Sequence, residues 1–479
     1  MLDNLKKYQI EIIVGLGLLL MLAWALPTMT TKPKIWIDEA VPLENARNIY
    51  LHGTLNALPA PGVWYAEPYL LQQTGYPVTL SLAAFFKVFG YGFTQARAAM
   101  LVWICIMLVT LYAVMRSLFS KEIALYSFFL AITFASLYAN GRPTTGEIPG
   151  FVFLLCGLYF WLKRENPWLL GFLWGFAVVS KPSVYQLLIP AITLTLLVQQ
   201  KPFIERLKDI ARTGMAMIPA AVLWIVLVLP APFSLETWQS LAAFFAHPFG
   251  AAADVAGLSL TGHLAQKTLA YFAIWIAVLV AAFRLEHNAT IKMLYWFTFI
   301  YSIFAFLYYL RSPVWLHYIL IAELLILALL PHALHMMFEK YGPYIRPRLL
   351  RAHALPLAIA VIALFQIVQL NTVAKLYTSD SVIRTAAYVN EHYPHDSVAT
   401  IGTLTVSTLL ETENRYIDYD LLGVPRIGSN PLEMTPLPRI IVADESTDDY
   451  VQVKKALASS YTKVTTIDIF GVYEWTRNK

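Results

Sequence analysis

Residues 8–29 read YQIEIIVGLGLLLMLAWALPTM, and residues 30–39 that follow read TTKPKIWIDE. The first stretch is long and apolar enough to cross a bilayer, which takes about 20 residues. Lys6 and Lys7 precede it. Ala23-Trp24-Ala25 has the look of a signal-peptidase site, but the reading favoured is a retained span. The second stretch ends on an acid pair, Asp38-Glu39, just past that span. Working outward, further apolar stretches lie at about 97–116, 121–139, 147–163, 166–180, 184–199, 213–231, 268–283, 293–311, 314–331 and 354–372. The whole chain is 58% hydrophobic and 14% charged over 479 residues, with a mean hydropathy of +0.58. A soluble protein carries about 25% charge, so soluble and disordered classes are excluded and a polytopic membrane protein remains. The fold class expected is mainly α, with about eleven transmembrane helices and a small C-terminal α/β domain.

One stretch, from Tyr76 to Gly90, decides the topology. It is short, carries Lys87 near its end and has Gly and Pro around it, which suits a helix lying flat at the interface. If it lies flat and the N-terminus is cytoplasmic, the cytoplasmic loops hold Lys6 and Lys7, Arg116 and Lys121, and Lys163 and Arg164. They also hold Lys201, Arg206, Lys208 and Arg212, then Arg284 and Lys292, then Lys340, Arg346, Arg348 and Arg351. Such one-sided clustering is what the positive-inside rule requires. It also accounts for the net charge of +5 without nucleic-acid binding. The expected domains are therefore a membrane domain over 1–372, with a long first outer loop at 30–96, and an extracytoplasmic domain over 373–479. In that tail Val398–Thr405 and Arg439–Ala443 read as strands, Asp449–Ser459 as a helix and Val464–Trp475 as a last strand. Cys105 and Cys156 sit in apolar runs, which argues against a disulfide or a metal site.

After Asp38-Glu39 come an amphipathic segment, Ala46–Leu55, and an aromatic stretch around Trp64, Tyr65 and Tyr69. The short helix 76–90 and Arg97, at the opening of the next span, follow. The next outer loop reads NGRPTTGE over Asn140–Glu147, and Ser180-Lys181-Pro182 ends a later span. This order resembles the GT-C superfamily of integral-membrane glycosyltransferases, and most closely the protein O-mannosyltransferases and the bacterial enzymes that place aminoarabinose on lipid A. The likeness covers about residues 8–200. One departure stands out: relatives carry Lys-Pro-Pro or His-Pro-Pro before the flat helix, where this chain has Gly75-Tyr76-Pro77.

The resemblance implies transfer of a sugar from a polyprenyl-phosphate donor to an acceptor outside the membrane. The acceptor is a protein, a lipid or a wall glycan. The lipid phosphate is already a competent leaving group, so the protein must orient the acceptor and stabilise charge on the departing phosphate. One carboxylate suffices for a single inverting displacement, and Asp38 is the candidate, with Glu39 and Glu147 as further acids. Phosphate calls for cations, and Arg97, Lys181, Arg142, Arg311 and His317 share the expected outer face. The bland alternatives are a solvated cap for Asp38-Glu39, a helix N-terminus for Glu147 and interfacial snorkelling for the cations. No cofactor and no metal are expected. His332 with His335, and His392 with His395, read as ordinary loop or helix-face residues. Asp418-Tyr419-Asp420 imitates the Asp-x-Asp of nucleotide-sugar transferases, in a tail too small for such a domain. The expected setting is a bacterial inner membrane, N-terminus in and C-terminus out. The rival class is a transporter or flippase of lipid-linked sugars, which calls for charges near mid-membrane; the sequence shows few, Glu323 being an exception.

Overall fold

A computed structural model of the chain describes residues 8–229, 231–246, 263–310, 316–342, 353–376, 378–417, 432 and 435–476. Within the described residues, each of the eleven long apolar stretches forms helix over most of its length. The physical reason is that lipid offers no partner for backbone N–H and C=O groups, so a spanning segment must satisfy them within its own helix. Seven helices are long and apolar enough to cross a membrane, and a bent pair, Lys121–Ile132 with Ala135–Gly141, makes an eighth. The remaining stretches form Glu147–Arg164, Pro167–Ser180, and the broken run Pro182–Tyr185 with Leu188–Leu197. This is a multi-pass membrane protein.

The chain divides into two compact units. The first comprises Met1–Pro27, Met100–Leu223 and Phe249–Leu376. Its centre is the span Leu316–Tyr341, most of which is buried, whereas few residues of the spans Phe203–Val228, Lys267–Leu285 and Ala354–Thr372 are buried. Lipid is as apolar as leucine, so polar bonds and close approach fix the helices rather than hydrophobicity alone. Ser127 Oγ donates to the Ala328 carbonyl (2.7 Å), Thr133 Oγ1 to Gln366 Oε1 (2.6 Å), and Gln366 Nε2 to the Tyr271 hydroxyl (3.2 Å). Glycines do the rest. A Cβ on Gly150 would lie 2.2 Å from the Tyr185 ring, and one on Gly171 would lie 2.1 Å from the Thr213 carbonyl oxygen. The bent pair turns through 59° at Thr133-Phe134, where the single Thr133 hydroxyl hydrogen has two alternative acceptors, Gln366 Oε1 and the Phe129 carbonyl of its own helix.

The second unit comprises Thr28–Ala99, Trp224–Pro248 and Tyr377–Lys479. It contains the first-loop helix Ile37–His52, which is longer than the amphipathic segment 46–55 read from the sequence and starts earlier. Gly53 ends it in the left-handed region at φ 72°, where a side chain would be strained. The helix Tyr76–Phe89 follows. The C-terminal part is a five-stranded mixed sheet: β1 (Val398–Ile401), β2 (Arg415–Ile417), β3 (Ile440–Asp444), β4 (Tyr461–Ile467) and β5 (Phe470–Trp475), in the order β2-β1-β3-β5-β4. β1 pairs parallel with β2 and β3, while β3–β5 and β5–β4 are antiparallel. Ile401, Ile441, Ala443, Leu457 and Tyr473 are among its core, under the helix Asp448–Ser460. The stretch read as one last strand from Val464 is a hairpin. Ile467 pairs with Phe470 across a two-residue loop, and Asp468 takes φ 59° there. The expected strand 398–405 is shorter, because Leu404–Ser407 turns into helix.

Candidate functional site

In the second unit the acids sit on the first turn of Ile37–His52, where Trp36 is still extended and the chain enters the helix. That helix is buried on every side over Asp38–Asn48, so its charges require partners. Glu39 has one in Arg97. Arg97 Nε and Nη2 reach Glu39 Oε1 and Oε2 at 2.5 Å each, a two-pronged pair with neither residue exposed. The remaining guanidinium capacity points at the carbonyls of Met29, Lys32 and Pro33 at 3.3–3.4 Å, and the Phe93 ring lies 4.8 Å away. Arg97 is thus the counter-charge of Glu39. Asp38, next in sequence to Glu39, keeps 5% exposure.

A second charged cluster in this unit was not foreseen. Arg415 on β2 grips Glu44 with Nη1–Oε2 at 2.9 Å and Nη2–Oε1 at 2.7 Å. Asn48 Nδ2 adds a bond to Glu44 Oε1 at 2.8 Å, and Arg415 Nη1 also donates to the Ser407 carbonyl at 3.0 Å. Arg47 lies over the Tyr91 ring at 5.1 Å and reaches the Thr408 carbonyl, which also accepts from the Tyr91 hydroxyl. Burial pushes the Glu44 carboxyl up, but the charge and bonds of Arg415 outweigh it and hold it below its ordinary value. Burial pushes the Tyr91 phenol up to about 12, against the pull of Arg47. The only sequence signal was the i, i+4 spacing of Glu44 and Asn48 with Arg47 between them; nothing local marked Arg415 as their partner.

In the first unit the second loop gathers other candidates. Gly146 packs so closely on the Ser180 carbonyl that an added Cβ would lie 1.9 Å from its oxygen. That approach brings Glu147, first residue of Glu147–Arg164, beside Lys181, which caps Pro167–Ser180. Their charged atoms are 3.8 Å apart and both are buried. The Tyr185 hydroxyl donates to the Glu147 carbonyl. His317, 4% exposed, lies within electrostatic reach of Lys181. Arg142 Nη2 donates to the Ala25 carbonyl at 2.9 Å, at the C-terminal end of the first span where the helix dipole favours a cation. Arg311 and Asp418-Tyr419-Asp420 lie outside the described residues. His332 bonds the Tyr295 hydroxyl (3.0 Å) and faces Glu286 (3.4 Å), a tie between helices. Among the described residues no three His, Cys, Asp or Glu side chains group as a metal site.

Residues 77–234 match the family model of dolichyl-phosphate-mannose-protein mannosyltransferases. The fold matches ArnT from Cupriavidus metallidurans, crystallised with undecaprenyl phosphate, with a TM-score of 0.66 over 96% of this chain and 97% of that one, at 16% identity. The chain has the fold of ArnT. Apo ArnT gives a TM-score of 0.65 over 95% of this chain and 97% of that one, at 16% identity. The apo oligosaccharyltransferase of Archaeoglobus fulgidus gives 0.56 over 98% of this chain and 75% of that one, at 12% identity. No curated protein sequence matches. The GT-C resemblance read from the first loops therefore holds, on a partial sequence match and a fold shared over nearly the full chain.

Proposed function

We propose that the protein transfers a sugar from a polyprenyl-phosphate donor to an acceptor on the outer side of a bacterial inner membrane. The reading rests above all on the fold shared with ArnT over nearly all of both chains, since ArnT binds undecaprenyl phosphate. In the proposed step an acceptor hydroxyl or amine attacks the anomeric carbon with inversion. The bond from that carbon to the phosphate oxygen breaks, and the phosphate leaves with the electron pair. Asp38 accepts a hydrogen bond from the nucleophile, orienting it, and takes its proton late, as suits a carboxylate of low basicity. Lys181 supplies positive charge to the phosphate, with Glu147 setting the position of its ammonium and His317 close by. Glu39 and Arg97 hold the turn that carries Asp38. One-sided basic loops support a cytoplasmic N-terminus and an extracytoplasmic C-terminal part.

The test is purified protein with radiolabelled polyprenyl-phosphate sugars and a panel of protein, lipid and glycan acceptors. Acceptor-dependent release of label is expected, and Asp38→Asn should abolish it while leaving donor binding intact. Full turnover by the variant removes Asp38 from the mechanism. Glu323 favours the transport reading: it is buried on Leu320–Tyr341 beside Ser136, with neither carboxyl oxygen in a well-formed hydrogen bond among the described residues. Label that crosses vesicles without being transferred would support that class instead.

A further inference from the structure

We infer that Arg415, on the C-terminal sheet, is a positioning residue for Asp38, and that the C-terminal part of the chain is thereby an integral component of the first-loop site. The inference rests on the glycosyl-transfer reading for what Asp38 does, but its geometry stands alone. The helix Ile37–His52 has a weak point. Pro42 lies inside it and has no N–H, so the intrahelical bond that would end on the Asp38 carbonyl cannot form. The acid-bearing turn and the rest of the helix are therefore less firmly joined than in an unbroken helix, and each side needs its own anchor. Arg97 supplies the first by its two bonds to Glu39. Arg415 supplies the second, two residues beyond the proline, by its two bonds to Glu44.

Further bonds tie the same parts together. The Ile417 N–H of the edge strand β2 donates to the Pro59 carbonyl at 2.8 Å, just after the helix. The Ser379 N–H donates to the Thr31 carbonyl at 3.2 Å, just before it. Asn48 Nδ2 donates to the Asn56 carbonyl at 2.9 Å, folding the turn after Gly53 back on the helix. Arg415 is 3% exposed and Glu44 not exposed at all, so the grip is dry. A guanidinium matches a carboxylate at two points, and a lysine cannot reproduce that geometry. Glu44 stands about 9 Å along the helix from Asp38, so Arg415 is assigned no contact with the reacting atoms. It acts through Glu44.

The experiment compares wild type with Arg415→Gln, Arg415→Lys and Glu44→Gln, each first checked for folding by monodisperse elution from detergent. Two readouts are taken: hydrogen exchange of peptides spanning 37–52, and transfer kinetics with a polyprenyl-phosphate sugar. Arg415→Gln should speed exchange across 37–52 while leaving the span 316–341 unchanged. It should lower kcat by about tenfold to a hundredfold with donor KM within about twofold, as a displaced catalytic group does. Arg415→Lys should fall between, and should alone decide the matter if Arg415→Gln does not fold. Wild-type exchange and kcat in a folded Arg415 variant overturn the inference. If the wild type transfers no lipid-linked sugar, the functional reading fails, and the exchange data by themselves support or overturn the anchor.

Discussion

Glu39→Gln and Arg97→Met, alone and together, probe the pair that holds the Asp38 turn. Both partners are fully buried and joined by two bonds of 2.5 Å. Removing one partner of a buried pair costs about 3–5 kcal/mol, because the other charge is stranded. In Glu39→Gln the guanidinium keeps one amide oxygen and the three carbonyls at 3.3–3.4 Å, contacts at or beyond the long end of the useful range. The cost there should be about 2–3 kcal/mol. Arg97→Met strands the Glu39 carboxylate with nothing comparable and should cost about 4 kcal/mol. The double variant has no stranded charge and should lose only about 1–2 kcal/mol, since uncharged replacements of a buried pair are often tolerated. The expected coupling is then about 4–6 kcal/mol. A two-unit membrane protein need not melt in one step, so the assay is native-state hydrogen exchange of peptides spanning 37–48, with the protein in nanodiscs. Each 1.4 kcal/mol of lost local stability speeds exchange about tenfold, so Glu39→Gln should show roughly thirtyfold to a hundredfold. Additive effects, with coupling under about 0.5 kcal/mol, would refute the argument that this pair secures the turn.

Three further outcomes follow from the same structure. Gly146→Ala should destabilise by more than the ~1–3 kcal/mol of ordinary overpacking, because its Cβ meets the Ser180 backbone oxygen at 1.9 Å, whereas Gly150→Ala meets a Tyr185 ring that can shift; thermal stability of the two variants in detergent separates them. Lys181→Met with Glu147→Gln, which removes the pair without stranding a charge, should raise donor KM roughly tenfold to a hundredfold, the worth of a charge-assisted bond to phosphate, measured by initial rates. The Glu44 carboxyl is held below its ordinary value of 4.5, so its contribution is fully present above that pH and is lost as pH falls through the depressed value; the gap in exchange between wild type and Glu44→Gln should be widest near neutrality and close in acid.

The long elements were legible because a helix that crosses a bilayer needs a long apolar run and satisfies its backbone within itself. The first-loop helix was half legible. Its charged and amide residues at 44, 45, 47 and 48 look solvated in a sequence, and Pro42 looks like a stop, yet Asp38–Asn48 is buried throughout. The C-terminal hairpin was missed because Asp468-Ile469 lacks the glycine that usually marks a two-residue turn. Arg97 was legible as a significant cation but not as the partner of Glu39, for pairing is a tertiary fact: several acids and cations lay within reach of one another by sequence reasoning. Arg415 was wholly invisible, 371 positions from the glutamate it grips.

Three of the buried pairs among the described residues differ in a way that sorts their geometry. Arg97–Glu39 and Arg415–Glu44 are two-pronged, with every charged bond at 2.9 Å or less. Such pairs saturate the carboxylate and leave little for a ligand, so their use is to fix one segment against another. Glu147–Lys181 is different. At 3.8 Å the charges attract but make no hydrogen bond, Glu147 Oε2 is buried without a partner among the described residues, and lysine is the more mobile, point-like cation. A pair held at that distance can admit a third charged group at small cost, because no strong bond must break first. A phosphate meeting Lys181 would gain bonds the ammonium does not already make, whereas a phosphate meeting Arg97 would have to displace two short ones. On that ground we propose that the donor phosphate meets Lys181, while Arg97 holds the turn that carries Asp38.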